Sequence, residues 1–218
     1  MNKQKSLKVI KNESKFLGIL VEYIRNNIKE YAISTIIFII GIFLGVMFIN
    51  KTTQSQKDEI NGYLTTYIET FQEKQIDKTE LLKNNISENI VLVIILWFAG
   101  STIIGIPIVL GIIGYRGFCL GYTVAACTYV MGTFKAIMFS IVALIFQNII
   151  FIPAIISMGV SSLKLYQAIL KDKRRENIKV EILRHTIFSV IMLILLIVSG
   201  IIETQISTEI LKKFLKFM

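Results

Sequence analysis

A chain of 218 residues in which 54% are hydrophobic and 18% charged falls short of the roughly 25% charge that soluble domains carry. That excludes a pair of soluble domains and leaves one membrane domain with short polar segments. The net charge of +9 does not point to nucleic acid, because the basic residues crowd beside apolar runs, where they set orientation and meet anionic lipid.

Residues 1–30 are polar and hold seven Lys and Arg. The first apolar segment, 31–49, is 19 residues without a charge. As a helix it measures about 28 Å, close to the hydrocarbon thickness of a bilayer. No small-x-small cleavage signal follows it, so it is expected to stay as a spanning helix. Residues 50–88 hold five basic and seven acidic side chains. From Asn89 to Leu163 come 75 residues with two charges, Arg116 and Lys135. No soluble domain hides such a run, and a bilayer takes it as several helices. We divide it into segments 89–112, 117–134 and 136–163. Residues 164–185 are basic again, 186–202 form a fifth apolar segment, and 203–218 alternate apolar and charged positions, as a helix lying on the interface does. The expected fold is all-α, a polytopic membrane bundle of about five transmembrane helices with a helical extracytoplasmic loop.

The basic segments 1–30 and 164–185 belong in the cytoplasm, which places 50–88 and 203–218 outside. Segments three and four must then both cross or neither. Crossing is the expectation; a pair of re-entrant segments is the alternative, since segment three is short and rich in Gly, Ala, Thr and Cys. In the outer loop, Ile60, Tyr63, Leu64, Tyr67, Ile68 and Phe71 recur at helical spacing. Such a face either rests on lipid or docks an extracytoplasmic partner. Thr53 with Gln56, and Asp77 with Glu80, have the spacing of helix caps.

Catalytic residues are scarce. None of the five segments contains Asp or Glu, and the only histidine, His185, reads as an interface residue at the mouth of segment five. Intramembrane metallo-, serine and aspartyl chemistry each needs acids or bases that these segments lack. No enzyme activity, metal or cofactor is expected. Arg116 and Lys135 read as lying at segment ends, within reach of headgroups. Glycine is the recurring feature. Gly41 and Gly45 form one G-x-x-x-G, Gly117 and Gly121 another, and Gly111, Gly114, Gly117 and Gly121 share one helical face. Small residues let helices approach closely. That face serves either packing within the chain or an oligomer seam. Pro107 and Pro153 are expected to kink segments two and four. Gln147 and Asn148 place two amides deep in segment four, where lipid offers no hydrogen-bond partner. They read as glue between helices or as the lining of a solute path.

Four motifs carry a resemblance: G-I-F-L-G-V-M-F-I-N at 41–50, G-S-T-I-I-G-I-P at 100–107, R-G-F-C-L-G-Y-T-V at 116–124 and F-Q-N-I-I-F-I-P-A at 146–154. In order and spacing the chain resembles the stage II sporulation protein M family over essentially its whole length. It departs at Phe146, where the family often has proline. The resemblance implies a non-enzymatic scaffold for engulfment during endospore formation, in the septal membrane of the mother cell. The implied partners are stage II sporulation proteins D and P, which remodel peptidoglycan. The alternative from the residues is a small channel or transporter, or a subunit of one, built on the proline-bearing segments two and four.

Overall fold

The computed structural model describes residues 18, 21–73, 77–102, 104–141, 146–171, 175–207 and 209–210. The basic segment before residue 18 and the tail beyond residue 210 lie outside the described residues, as do the side chains of Ile68, Phe71 and Gln147. The helices are Ile28–Lys51 (α1), Gln54–Glu73 (α2), Lys78–Gly100 (α3), Ile106–Met131 (α4), Thr133–Ser140 (α5), Phe146–Lys171 (α6) and Arg175–Ile202 (α7). A π-helical turn, Glu203–Ser207, extends α7. Among the described residues there is no strand. Five of the helices, α1, α3, α4, α6 and α7, are long and apolar enough to cross a membrane. The chain is an all-α polytopic membrane bundle.

Contacts between helix ends fix their directions. At one end Gln167 donates to Glu30 (2.8 Å) and Trp97 donates to Thr186 (3.0 Å). At the other end Gln54 donates to Tyr129 (3.2 Å) and Asn85 to Glu203 (2.8 Å). Successive long helices therefore run in opposite directions. We label the first end, which holds the start of α1, the end of α6 and the start of α7, inner after the charge rule, and the second, carrying α2, outer.

Boundaries depart from the sequence expectation in three places. Segment two ends at Gly100 instead of reaching residue 112. The Ser101 hydroxyl donates to the Trp97 carbonyl (2.8 Å) and Thr102 to the Ala99 carbonyl (3.0 Å), closing α3. The Gly105 N–H donates back to Thr102 Oγ1 (3.1 Å), and a Cβ on Gly105 would overlap the Ala99 carbonyl. Pro107 then stands in the first turn of α4, where its missing N–H costs nothing. It starts a helix and does not kink one. Segment three is correspondingly longer: α4 has 26 residues, roughly 39 Å, and stops at Gly132, whose φ of 79° favours glycine. Segment four is two helices, α5 and α6, and α6 continues through Pro153. The basic stretch after it is largely helical, with α6 reaching Lys171 and α7 beginning at Arg175, because Lys, Arg and Glu are good helix formers.

The centre of the bundle is α6. In its apolar window 56% of residues are buried inside the protein, against 22–33% for the other spans. Around it pack Leu92 and Leu96 from α3, Val109 and Ile113 from α4, and Met192 and Leu196 from α7, with Ile155 and Met158 of α6 between them. The outside is also apolar. Phe43 and Phe48 on α1, Ile94 and Phe98 on α3, and Ile187, Ile191 and Ile194 on α7 are all exposed. A bundle with large aliphatic side chains on both its inside and its outside is built for lipid. One buried amide joins α3 to α7: Asn89 donates to the Leu196 carbonyl (3.1 Å). Asn89→Leu is expected to cost only about 0.6 kcal/mol, whereas Leu96→Ala, at a fully buried site, is expected to cost about 3 kcal/mol. Unfolding of the purified variants in detergent measures both.

Candidate functional site

Along the seam between α1 and α4 the two helix backbones approach to contact. α1 turns Ser34, Phe38, Gly41, Gly45 and Ile49 inward, a stripe of three- and four-residue steps. A Cβ on Gly41 would overlap the Gly114 carbonyl, and one on Gly45 the Phe118 carbonyl. In return, a Cβ on Gly117 would overlap the Phe38 carbonyl and one on Gly121 the Ile42 carbonyl. The two backbones touch at four points, which side chains would prevent. Gly114 sits at the edge, its Cβ position 3.3 Å from Ile37. Gly111 is not part of the seam: it is exposed, and a Cβ there would meet nothing within 4 Å. It stands about 120° around the helix from Gly117, beyond the reach of a single helix contact. The seam is occupied within one chain, so these glycines are not a surface for a second copy.

At the outer end, α2 lies across α4. Gln54 and Lys57 hold its start on Tyr129, the first by the hydrogen bond above and the second by placing its ammonium 5.2 Å from the ring centroid. The Thr53 N–H donates to Gln56 (3.2 Å) before α2, and Asp77 accepts from the N–H groups of Thr79 (2.9 Å) and Glu80 (3.2 Å) to cap α3. Beyond the anchored start, Ile60, Tyr63 and Leu64 face Tyr122, Thr123 and Ala126 across an apolar groove of about 380 Å³. Ile60 and Leu64 are half-buried and turned toward α4, so they do not form the free outer face. Tyr63, 74% exposed, stands at the rim, and Tyr67 is also exposed. The Tyr67 hydroxyl is pushed up to about 12, by burial first and then by the Glu203 carboxylate. It therefore remains a neutral hydrogen-bonding group at physiological pH.

Halfway through the bundle is a second cavity, of about 220 Å³, between α1, α4 and α6. Arg116, Thr123 and Asn148 give it polar walls, and Phe38, Leu120 and Phe151 apolar ones. Arg116 does not lie at a helix end. It is ten residues into α4, about 15 Å along an axis of about 39 Å. Its guanidinium lies over the Phe151 ring, 5.2 Å from the centroid. The structure thus brings Asn148 together with a charge that hydropathy alone puts at the membrane surface. Pro153 lies one turn below Asn148 within α6.

The inner end holds His185, which is 1% exposed and so is no interface residue. Its Nδ1 pairs with Ser161 Oγ at 2.8 Å, the tautomer deciding which donates. Its Nε2 faces Gly100, whose Cβ position is 3.1 Å away. The adjoining cavity is only about 50 Å³, room for a few waters. The pair fills space where α3, α6 and α7 converge.

A family model for stage II sporulation protein M matches residues 34–208. The chain belongs to the stage II sporulation protein M family. No curated protein and no solved structure matches it. Membership makes this a sporulation-related, multi-pass membrane protein. The family motifs fall on the structural features just described. G-I-F-L-G at 41–45 and R-G-F-C-L-G at 116–121 are the two sides of the seam, and G-S-T-I-I-G-I-P at 100–107 spans the end of α3, the inner turn and the start of α4. F-Q-N-I-I-F-I-P-A at 146–154 begins α6 and supplies Asn148 and Phe151 to the cavity.

Two features were missed in the sequence, and each had a signal. His185 shares a stripe with Ser189, Met192 and Leu196, all buried, at the spacing of one helix face. Arg116 lies within the bundle because Pro107 opens α4. Proline preceded by a Gly-Ser-Thr cluster is instead a helix start.

Proposed function

We propose that this member of the stage II sporulation protein M family is a non-enzymatic scaffold for engulfment. It holds stage II sporulation proteins D and P, which remodel peptidoglycan, at the septal membrane of the mother cell. The observation that supports this reading most is α2: a helix fixed at one end, with Tyr63 exposed at the rim of an apolar groove. Aromatic side chains with an apolar body and a polar tip are the usual anchors of protein interfaces. The rest of the bundle supplies a rigid mount, since the seam and core leave α1, α4 and α6 closely packed.

Replacing Tyr63 with Asp puts a charge on that rim without touching the core. Recruitment of the two partners to the septum is expected to fall at least tenfold, while the protein remains inserted and its unfolding midpoint stays within about 1 °C of the parent. Fluorescent fusions of the partners in sporulating cells provide the readout, with membrane fractionation as the control. Unchanged recruitment by an inserted Tyr63→Asp protein would remove α2 from the docking role. A transporter is the second reading, and the cavity around Arg116 and Asn148 is the observation in its favour. It requires solute flux in liposomes that Asn148→Leu lowers.

A further inference from the structure

Arg116 sits near the midplane of a hydrocarbon core about 30 Å thick. Intramembrane charges of this kind pair with a counter-charge or mark the path of one. Among the described residues the ion pairs are Lys78–Glu209 and Arg184–Glu181. The described residues lining the Arg116 cavity include no carboxylate. The guanidinium lies over the face of Phe151, and a group with five N–H donors is thereby among those lining the cavity. Asn148 contributes an amide to the same space. Thr123 donates its own hydrogen to the Cys119 carbonyl (2.9 Å). Phe38, Leu120, Phe151 and Ile152 supply apolar walls.

We propose that this cavity is a binding site for an oxyanion group, carboxylate or phosphate, carried on a small apolar body. A guanidinium forms paired hydrogen bonds to either group, and the planar fork matches both. The low dielectric around it makes the attraction far stronger than it would be at the surface. The aromatic and aliphatic walls contact the apolar part, and the fixed positive charge rejects cations. Two sources fit this chemistry: a small organic anion from water, or the phosphate of a lipid entering from the side. The proposal concerns binding and holds whether or not α2 docks a partner.

The test uses the full chain purified in a neutral detergent, with ionic strength held constant. Butyrate and inorganic phosphate are titrated while the thermal unfolding midpoint is followed. A parallel arm compares nanodiscs of phosphatidylcholine with nanodiscs containing phosphatidylglycerol. A saturable rise of at least 3 °C with butyrate or phosphate is expected if the ligand is a solute, and a rise only with phosphatidylglycerol if it is lipid. Either rise should vanish in Arg116→Gln and persist in Arg184→Gln, which alters an exposed arginine. If Arg116→Gln does not fold, Asn148→Leu and Arg116→Lys take its place, and each is expected to weaken the apparent affinity at least fivefold. No saturable rise in any arm overturns the proposal. So does a rise of equal affinity in the parent and in the Arg116 and Asn148 variants.

Discussion

Gly45→Leu and Gly121→Leu are expected to prevent α1 from docking on α4, and Gly45→Ala or Gly121→Ala to cost about 3 kcal/mol each, the upper part of the usual range for overpacking. The reason is what each Cβ would meet. At both positions it would overlap a backbone carbonyl of the opposite helix, not the end of a flexible side chain. A side chain can rotate away, but a carbonyl held in a helix cannot. The helices must therefore separate, and separation forfeits contacts along the whole seam, including the packing of Phe48 on Phe118, 5.8 Å between centroids. In lipid no hydrophobic driving force between the helices offsets that loss, because lipid tails are as apolar as the side chains they would replace. Alanine favours helix by up to about 1 kcal/mol over glycine, which is too little to compensate. Gly111→Leu is the control. It adds a larger side chain at an exposed position with nothing nearby, so stability is expected not to fall and to rise by up to about 1 kcal/mol from helix preference. Unfolding of the purified proteins in detergent measures all five. Equal stability of Gly45→Ala and the parent protein would mean that the seam is not as close as described.

The seam also carries the midplane cavity. Phe38 forms one of its walls, and its carbonyl is what a Cβ on Gly117 would strike. Parting α1 from α4 thus removes the Phe38 wall from the cavity that Arg116 lines. A seam variant is expected to lose anion stabilisation together with fold stability, whereas Asn148→Leu affects mainly the former.

The membrane class and the five spans were legible because uncharged length is a crude and robust quantity. Segments 31–49 and 186–202 fall within α1 and α7. The glycine pairs were legible too, as motifs, but their pairing was not. Nothing in the chain says that 41 and 45 meet 114 and 118, because that depends on how α6 seats α1 beside α4. The boundaries inside residues 89–163 were lost for a specific reason. The stretch 101–105 contains two isoleucines and no charge, so hydropathy runs through it without a dip. Hydroxyl-to-carbonyl bonds by Ser101 and Thr102 make such a turn feasible at the membrane edge. Missing it moved the start of α4 and turned a mid-membrane arginine into a surface one. The amphipathic loop was legible as a helix. That Ile60 and Leu64 would face α4, leaving Tyr63 at the rim, required the position of α4 to be known.

Ile94→Arg is the second substitution with a large expected effect, and it inverts the rule for soluble proteins. Ile94 is 55% exposed. On a soluble helix an arginine there would be nearly neutral, because its charge would meet water. Here the side chain faces lipid, and an arginine near the centre of a spanning helix costs about 3 kcal/mol to insert, a factor of roughly 150 in the inserted fraction. The helix concerned has little margin. α3 carries Glu80, Lys83 and Glu88 in its first half, and its charge-free part, 89–100, is 12 residues, about 18 Å of the thickness to be crossed. The same substitution at Ile194 tests the margin. That residue is equally lipid-facing, at 57% exposed, but α7 is uncharged for 17 residues from Thr186 to Ile202 and should still insert. Arg116 shows what such a charge requires: the face of Phe151, an amide and a cavity of about 220 Å³. The surface around Ile94 offers none of these among its described neighbours. Labelling of single cysteines at positions 63 and 135 from outside intact cells distinguishes the outcomes. Ile194→Arg should leave both labelled, whereas Ile94→Arg should remove one of them or eliminate the protein. Normal labelling and normal abundance of the Ile94→Arg protein would place that face of α3 in water and overturn the arrangement of the bundle in lipid.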